Sequence, residues 1–297
     1  MKIQVKEENV RLDQYLAKEL DISRSQVLKM IKNDEVLVNG KKVKSGYNTL
    51  NGDIIDVNHV DDTEILPEKM DLDIVYEDDY LMVVNKANGV VVHPAPGNYH
   101  GTLVNGLLAH GKLSDVNGEF RPGIVHRIDA YTTGLLMIAK NNKVHEALAK
   151  ELAEKKTHRK YIALVWGTLP SDTGLIDAPI GRSPKDRKKM AVVYKNSKPA
   201  VTHVKVLKRY GSFTHLRCTL ETGRTHQIRV HLSHIGHPIA GDEVYGPKKP
   251  VKGLNGQCLH AKHIGFVHPI TGQWLSFESE LPEYFTRFLS KLENGRL

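Results

Sequence analysis

Cysteine is nearly absent: Cys218 and Cys258 are the two in 297 residues, and neither belongs to a Cys-x-x-Cys pair. That argues against a disulfide framework and fits a reducing, cytoplasmic setting. No apolar run approaches the roughly 18 residues that span a membrane. Met1–Glu8 lacks the apolar core of a signal segment. No membrane partner is therefore expected. The glycine-rich phosphate loop, the Gly-x-Ser-x-Gly elbow, the kinase motif set and His-Glu-x-x-His are all missing. An enzyme built on this chain would work through side chains, with no cofactor and no bound nucleotide. Neither internal repeats nor low-complexity tracts occur, and no coiled-coil stretch argues against a monomer.

What is present is length and charge. The 297 residues suit about two domains with room for a core. The net charge is +8 and the pI about 9.2. Residues 182–231 carry thirteen Lys and Arg against two acids, a local excess of +11. Residues 61–79 carry nine acids against one Lys. A concentrated basic field raises encounter rates with polyanions, and nucleic acid is the commonest of these.

Residues 9–58 read as a small module. Leu12, Tyr15, Leu16 and Leu20 have helical spacing. Ser23 is placed to cap a second helix running through Lys32. Val36–Val43 reads as a hairpin turning at Asn39-Gly40, and Gly52–Val57 as another strand. The acidic stretch beyond, its linker portion placed at 61–75, reads as solvated. From residue 76 to about 290 the pattern is many short apolar strands with few helices. Strands are expected at 81–86, 89–94, 160–167, 200–208, 214–221 and near 274–277. Helices are expected at 102–110 and 143–152. This is an α+β pattern on a mixed, largely antiparallel sheet with flanking helices and a central cleft.

Three segments carry chemistry. In Gly123-Ile124-Val125-His126-Arg127-Ile128-Asp129, followed by Thr132-Thr133-Gly134 and Leu135–Lys140, two strand-like runs flank an Arg and an Asp at a turn. Such a turn presents polar groups at the lip of a sheet. In Glu221–Leu232, Gly223 turns the chain into a helix or strand on which Arg229 can approach a carboxylate and keep it ionised. In Lys160-Tyr161 an aromatic opens a strand after two basic neighbours, Arg159 and Lys160, where it could stack on an extruded base. His226, His231, His234 and His237 invite a metal reading, but no Cys or His-Glu-x-x-His pattern completes a site; capping, packing or RNA contact is expected of them, and no metal.

Together these segments resemble the RluA/RluD-type family of RNA pseudouridine synthases. The matching residues are Asn85-Lys86, Gly89–Pro94, Gly123–Asp129 with Thr132–Leu135, Lys160-Tyr161, Glu221–His231, Gly236–Ile239 with Gly241-Asp242, and Leu259–Ala261 with Phe266, His268 and Pro269. Residues 9–58 resemble the S4 RNA-binding domain through Arg11-Leu12-Asp13, Ser23-Arg24-Ser25, Ile31-Lys32, Val36–Gly40 and Gly52-Asp53. The pairing of the two is most similar to the large-subunit ribosomal RNA branch of the family, the D type.

The resemblance implies that a uridine's C1′–N1 bond is broken, the uracil turned, and C5 joined to C1′. It makes Asp129 the essential carboxylate, as nucleophile or base, and Arg229 its partner. Tyr161 becomes the tyrosine that stacks on the base and is a candidate to help deprotonate C5. Arg127 becomes the residue that props the RNA open after base flipping, with Lys86, His126 and Arg224 around it on the RNA. Arg24, Lys29, Lys32, Lys41, Lys42 and Lys44 would grip RNA backbone, which positions without reading sequence. The implied partner is structured ribosomal RNA. Ala87, Ala130 and Tyr131 depart from the family's usual Pro, basic and acidic residues. A carboxylate suits the chemistry, because cleavage builds positive charge at C1′ that a fixed anion stabilises.

Overall fold

The computed structural model describes residues 1–20, 22–58, 65–95, 98–118, 121–186, 189–247, 251 and 253–295. The chain divides into two compact units, Met1–Glu64 and Ile65–Leu297.

The first unit contains β1 (Lys2–Gln4), α1 (Leu12–Glu19), α2 (Arg24–Lys32), β2 (Val36–Val38), β3 (Lys41–Lys42) and β4 (Ile54–Val57), with sheet order β1-β4-β2-β3. Helix α2 starts where a capping box forms: Ser23 Oγ accepts from Gln26 N, and Gln26 Oε1 accepts from Ser23 N at 2.9 Å. Asn39 and Gly40 both take positive φ, 51° and 73°, as a tight hairpin turn of this hand requires. Leu12, Tyr15, Leu16, Val27, Met30, Val36, Val38 and Ile55 form a core of their own. Each such aliphatic contributes about 1.5–3 kcal/mol relative to exposure.

The second unit is built on a large sheet. Its strands are β5 (Ile74–Glu77), β6 (Leu81–Lys86), β7 (Thr133–Ala139), β8 (His158–Trp166), β9 (Thr173–Asp177), β13 (Val201–Arg209), β14 (Phe213–Leu220), β15 (Leu259–Val267) and β16 (Trp274–Glu278). The order is β5-β6-β7-β15-β8-β14-β13-β9, with β16 on β15. The pairs are antiparallel except β7–β15, which runs parallel through His260↔Thr133 and Ala261↔Gly134. A smaller sheet holds β10 (Ile180–Arg182), β11 (Met190–Val192) and β12 (Ser197–Lys198). The helices are α3 (Leu103–His110), α4 (Asn142–Ala153), α5 (Gln227–His234) and α6 (Glu283–Glu293). Among the described residues no helix is long and apolar enough to cross a membrane.

Both faces of the central strands are covered, so β6 and β7 read as continuous apolar runs. Met82, Val84, Leu136 and Ile138 face one core with α3; Leu81, Val83, Leu135 and Met137 face another with Val144 and Leu148 of α4. Gly134 has φ 109°, and a Cβ there would run into the Ala261 backbone, so glycine lets β15 close on β7 just after Asp129.

Three expectations need correction. Gly89–Pro94 is not a strand: Val91 and Val92 turn their carbonyls to Leu103 N and Val104 N at the start of α3 (2.8 and 3.1 Å). Gly123–Asp129 is also irregular, crossing β7 through a single bridge, Ile124↔Ile138. The acidic stretch is not a free linker from Ile65 onward. Ile65, Leu72 and Ile74 pack on the main core, and Ile74–Glu77 pairs with β6. Its acids are used locally, Glu68 accepting from Gly101 N at 2.9 Å and Glu77 pairing with Lys140. Residues 59–64 lie outside the described residues.

Candidate active site

Asp129 ends the irregular segment before β7. Its carbonyl accepts from Thr132 N at 3.0 Å, closing a tight turn. The next carbonyl, Ala130 O, accepts from Gly89 N at 3.0 Å and from Lys86 Nζ at 2.7 Å. The loop is thus fixed to β6 through its backbone. The departures at 130 and 131 fall where that fixing needs no particular side chain: Ala130 contributes its carbonyl, and Tyr131 is 54% exposed.

Arg229 reaches Asp129 from α5. Its Nη1 donates to Asp129 Oδ2 at 2.8 Å. The two-pronged face of the guanidinium is not on Asp129, however. Nε and Nη2 donate to Asp242 Oδ2 and Oδ1 at 2.7 and 2.9 Å. Asp242 is fully enclosed, and its Oδ1 also accepts from Val244 N and Tyr245 N at 2.9 and 3.0 Å. The Tyr245 ring covers the guanidinium at 5.0 Å. Despite burial, the two carboxylates hold Arg229 above even its usual high range. His226 completes the ring, with Nε2 3.7 Å from Asp129 Oδ1 and Nδ1 2.8 Å from Tyr245 Oη.

The chain supports this arrangement locally. His226 sits in the left-handed region at φ 58° and turns the backbone into α5. Gln227, buried at its start, ties down the preceding loop: its Oε1 accepts from Arg224 N and Thr222 Oγ1 (2.9 and 2.8 Å). Its Nε2 donates to Val201 O and Thr202 Oγ1, both at 3.0 Å.

Tyr161 enters from β8. Burial pushes its phenol above the ordinary range, so it stays protonated. Asp129, Tyr161, Arg229, Ile228, Arg127, Arg224, His126 and His226 line one cleft of about 310 Å³. A carboxylate braced by a buried guanidinium, beside an aromatic wall and with cations at the cleft, can bind a flat polar ring on an anionic backbone. It can also stabilise positive charge developing near the carboxylate.

Comparison with known proteins bears directly on this geometry. The RNA pseudouridylate synthase family matches residues 80–234, and the S4 domain matches residues 10–55. The chain belongs to the RNA pseudouridylate synthase family. It is 52% identical over 290 residues to an uncharacterized RNA pseudouridine synthase, YlyB, of Bacillus subtilis, covering 96% of this chain and 95% of that one. It is 47% identical over 302 residues to ribosomal large subunit pseudouridine synthase D of Neisseria meningitidis, covering 96% of this chain and 80% of that protein. Among solved structures, human RNA pseudouridylate synthase domain containing 4 superimposes with a TM-score of 0.59 at 25% identity, over 74% of this chain and 92% of that one. The protein is therefore an isomerase acting on RNA, with an S4 domain in its first unit.

Within this synthase the remaining sequence-selected residues divide. Arg127 is exposed at the cleft, braced by His93, whose Nε2 accepts from Arg127 Nη1 at 3.1 Å. Burial, then the nearby arginines, pushes His93 down to about 4, so it stays the neutral acceptor. Arg224 is anchored by Nε to Pro199 O at 2.9 Å. His126 is an internal strut: its Nε2 accepts from Met137 N at 3.1 Å, and burial pushes it down to about 3. The neutral ring then carries its proton on Nδ1. In the S4 domain, Lys32, Lys41 and Lys42 are exposed, while Arg24 pairs with buried Asp13 at 2.7 Å and Lys42 pairs with Asp34. His231 bonds Thr202 Oγ1 and Ala178 O, both at 2.9 Å, and His237 bonds Trp166 O at 2.8 Å. These two serve packing, as expected.

Lys86 is a correction. Expected among the RNA contacts, it is 3% exposed and its Nζ donates to Ala87 O and Ala130 O at 2.8 and 2.7 Å. The register explains why: Lys86 pairs with Gly134, so its side chain lies under the Asp129 loop. Burial lowers it from 10.5 to about 7, against the pull of Asp129. A neutral amine still has two N–H groups for its two carbonyls. Between pH 7 and about 10 the unfolded chain keeps a proton that the folded chain has released, so this lysine makes stability rise with pH. Lys86→Met is expected to flatten that rise, measured as the melting midpoint from pH 7 to 10. An unchanged slope would show that Lys86 titrates normally.

Proposed function

We propose that this synthase isomerises uridines of large-subunit ribosomal RNA, and that Asp129, Arg229 and Tyr161 are its reacting and positioning groups. The observation that carries the site assignment is the chain of contacts from Asp129 in the cleft through Arg229 to the enclosed Asp242. It presents one carboxylate oxygen of Asp129 to Arg229 and leaves the other toward His226 and the open space. On this reading Asp129 acts at C1′ of a uridine turned out of its helix. Arg229 aims Asp129, and Tyr161 stacks on the uracil. Its phenol, held protonated by burial, favours hydrogen bonding over phenolate base chemistry. Arg127 fills the gap left in the RNA. The name of the Neisseria relative supports the choice of RNA. Incubating the protein with unmodified large-subunit ribosomal RNA should produce pseudouridine at discrete positions. Product in another RNA class alone would overturn the substrate assignment.

The S4 domain, within residues 1–60, is on the same reading an RNA grip for a catalytic body ending near residue 290. Deleting residues 1–60 should leave that body folded, since among the described residues its cores draw on none before Ile65. Binding should weaken by about tenfold or more, with a shallower salt dependence as phosphate contacts are lost. Single-turnover rates at saturating RNA should change far less. A truncated protein with the same salt slope and the same target would remove the grip from this domain.

A further inference from the structure

Arg159 stands two residues before Tyr161 on β8, on the same face, and lines the same cleft. It is 8% exposed. Among the described residues no carboxylate pairs with it, and its Nε is enclosed with no acceptor. The contrast with Arg229, which has two carboxylates and an aromatic cover, is sharp. The loop after β14 is shaped around this guanidinium: a Cβ at Gly223 would stand 2.8 Å from Arg159 Nη1. Gly223 is not in the left-handed region, and the loop passes close against the guanidinium there.

A buried guanidinium without a counter-charge is strongly disfavoured, a cost that an anion arriving from outside would relieve. The cleft is the route by which one can arrive, and Arg127 and Arg224 also line it. Uracil offers neutral carbonyls, whereas the RNA strand offers an anion with the planar two-oxygen geometry that a guanidinium fork matches. We propose that Arg159 binds a phosphodiester of the RNA strand adjoining the uridine that stacks on Tyr161. The contact fixes the flipped nucleotide lengthwise while Asp129 acts on its sugar. The inference rests on reading this cleft as the isomerisation site.

The test uses the full chain and a large-subunit ribosomal RNA transcript. Arg159→Met removes the charge and donors at similar length; Arg159→Lys restores charge without the fork. For Arg159→Met the expected result is about tenfold weaker RNA binding and a log–log salt slope shallower by about 0.7–0.9, one phosphate. KM should rise more than kcat falls. The melting midpoint should stay or rise, because an unpaired buried charge has been removed. Arg159→Lys should recover part of the slope. Unchanged affinity and slope in Arg159→Met would overturn the proposal. So would a lower melting midpoint in both variants, which would make Arg159 a structural residue. Asp129→Asn, run alongside, should lose turnover with an unchanged slope. If it keeps turnover, the reading of the cleft fails by itself, and the Arg159 slope still reports on the phosphate contact.

Discussion

Asp129→Asn is expected to lower isomerisation by at least about 10⁴-fold, the scale on which an enzyme loses its principal reacting group. RNA affinity should stay within a few-fold. Asn keeps the shape of the side chain and removes the anion that the developing charge at C1′ needs. The surroundings make this substitution informative. Arg229 contacts Asp129 through Nη1 alone, at 2.8 Å, while Asp242 holds the rest of the guanidinium. Loss of the Asp129 charge therefore leaves Arg229 paired and in place, so the variant should fold and bind. The measurement is pseudouridine formed in a single turnover on large-subunit ribosomal RNA, with filter binding on the same preparation. Turnover near the parent rate would remove Asp129 from the mechanism.

The elements most legible in the sequence were those set by local signals. Ser23 with Gln26 marks the start of α2, and Asn39-Gly40 marks the hairpin, because capping and positive φ are decided within four residues. The α+β architecture follows from helices interspersed among short apolar strands, and the meeting of Asp129, Tyr161 and Arg229 from the family resemblance. Strands were misread where an apolar run has its backbone satisfied elsewhere. Val91 and Val92 look like a strand but serve the α3 N-terminus. Lys86 is expected on the RNA by resemblance; its register beside Gly134 and its bonds to Ala87 O and Ala130 O instead place it under a loop. β15 and α6 are not among the elements expected from sequence, nor is the parallel pairing of β15 that seats the Asp129 turn. Asp242 was noted in its motif, next to Gly241, but not as the residue that holds Arg229. The two are thirteen residues apart and meet only in three dimensions.

The grip of Asp242 on Arg229 carries the second large effect. Asp242→Asn should lower the isomerisation rate by about 10²-fold or more, the scale set by loss of charge stabilisation in a buried site. It should also destabilise the second unit by about 3–5 kcal/mol, as expected when a buried pair loses one partner. Asn can still accept from Val244 N and Tyr245 N through one oxygen, so the turn after Gly241 survives. It cannot receive both Nε and Nη2 of Arg229. Arg229 then has Asp129 as its remaining anion and is drawn onto it, displacing the carboxylate from its working position. The rate effect should consequently vanish in an Asp129→Asn background, whereas the stability effect should persist. Chemical denaturation of the single and double variants, with single-turnover rates where measurable, separates the two. If Asp242→Asn is as stable and as fast as the parent protein, Arg229 does not depend on Asp242, and the carboxylate–guanidinium–carboxylate chain is not what aims Asp129.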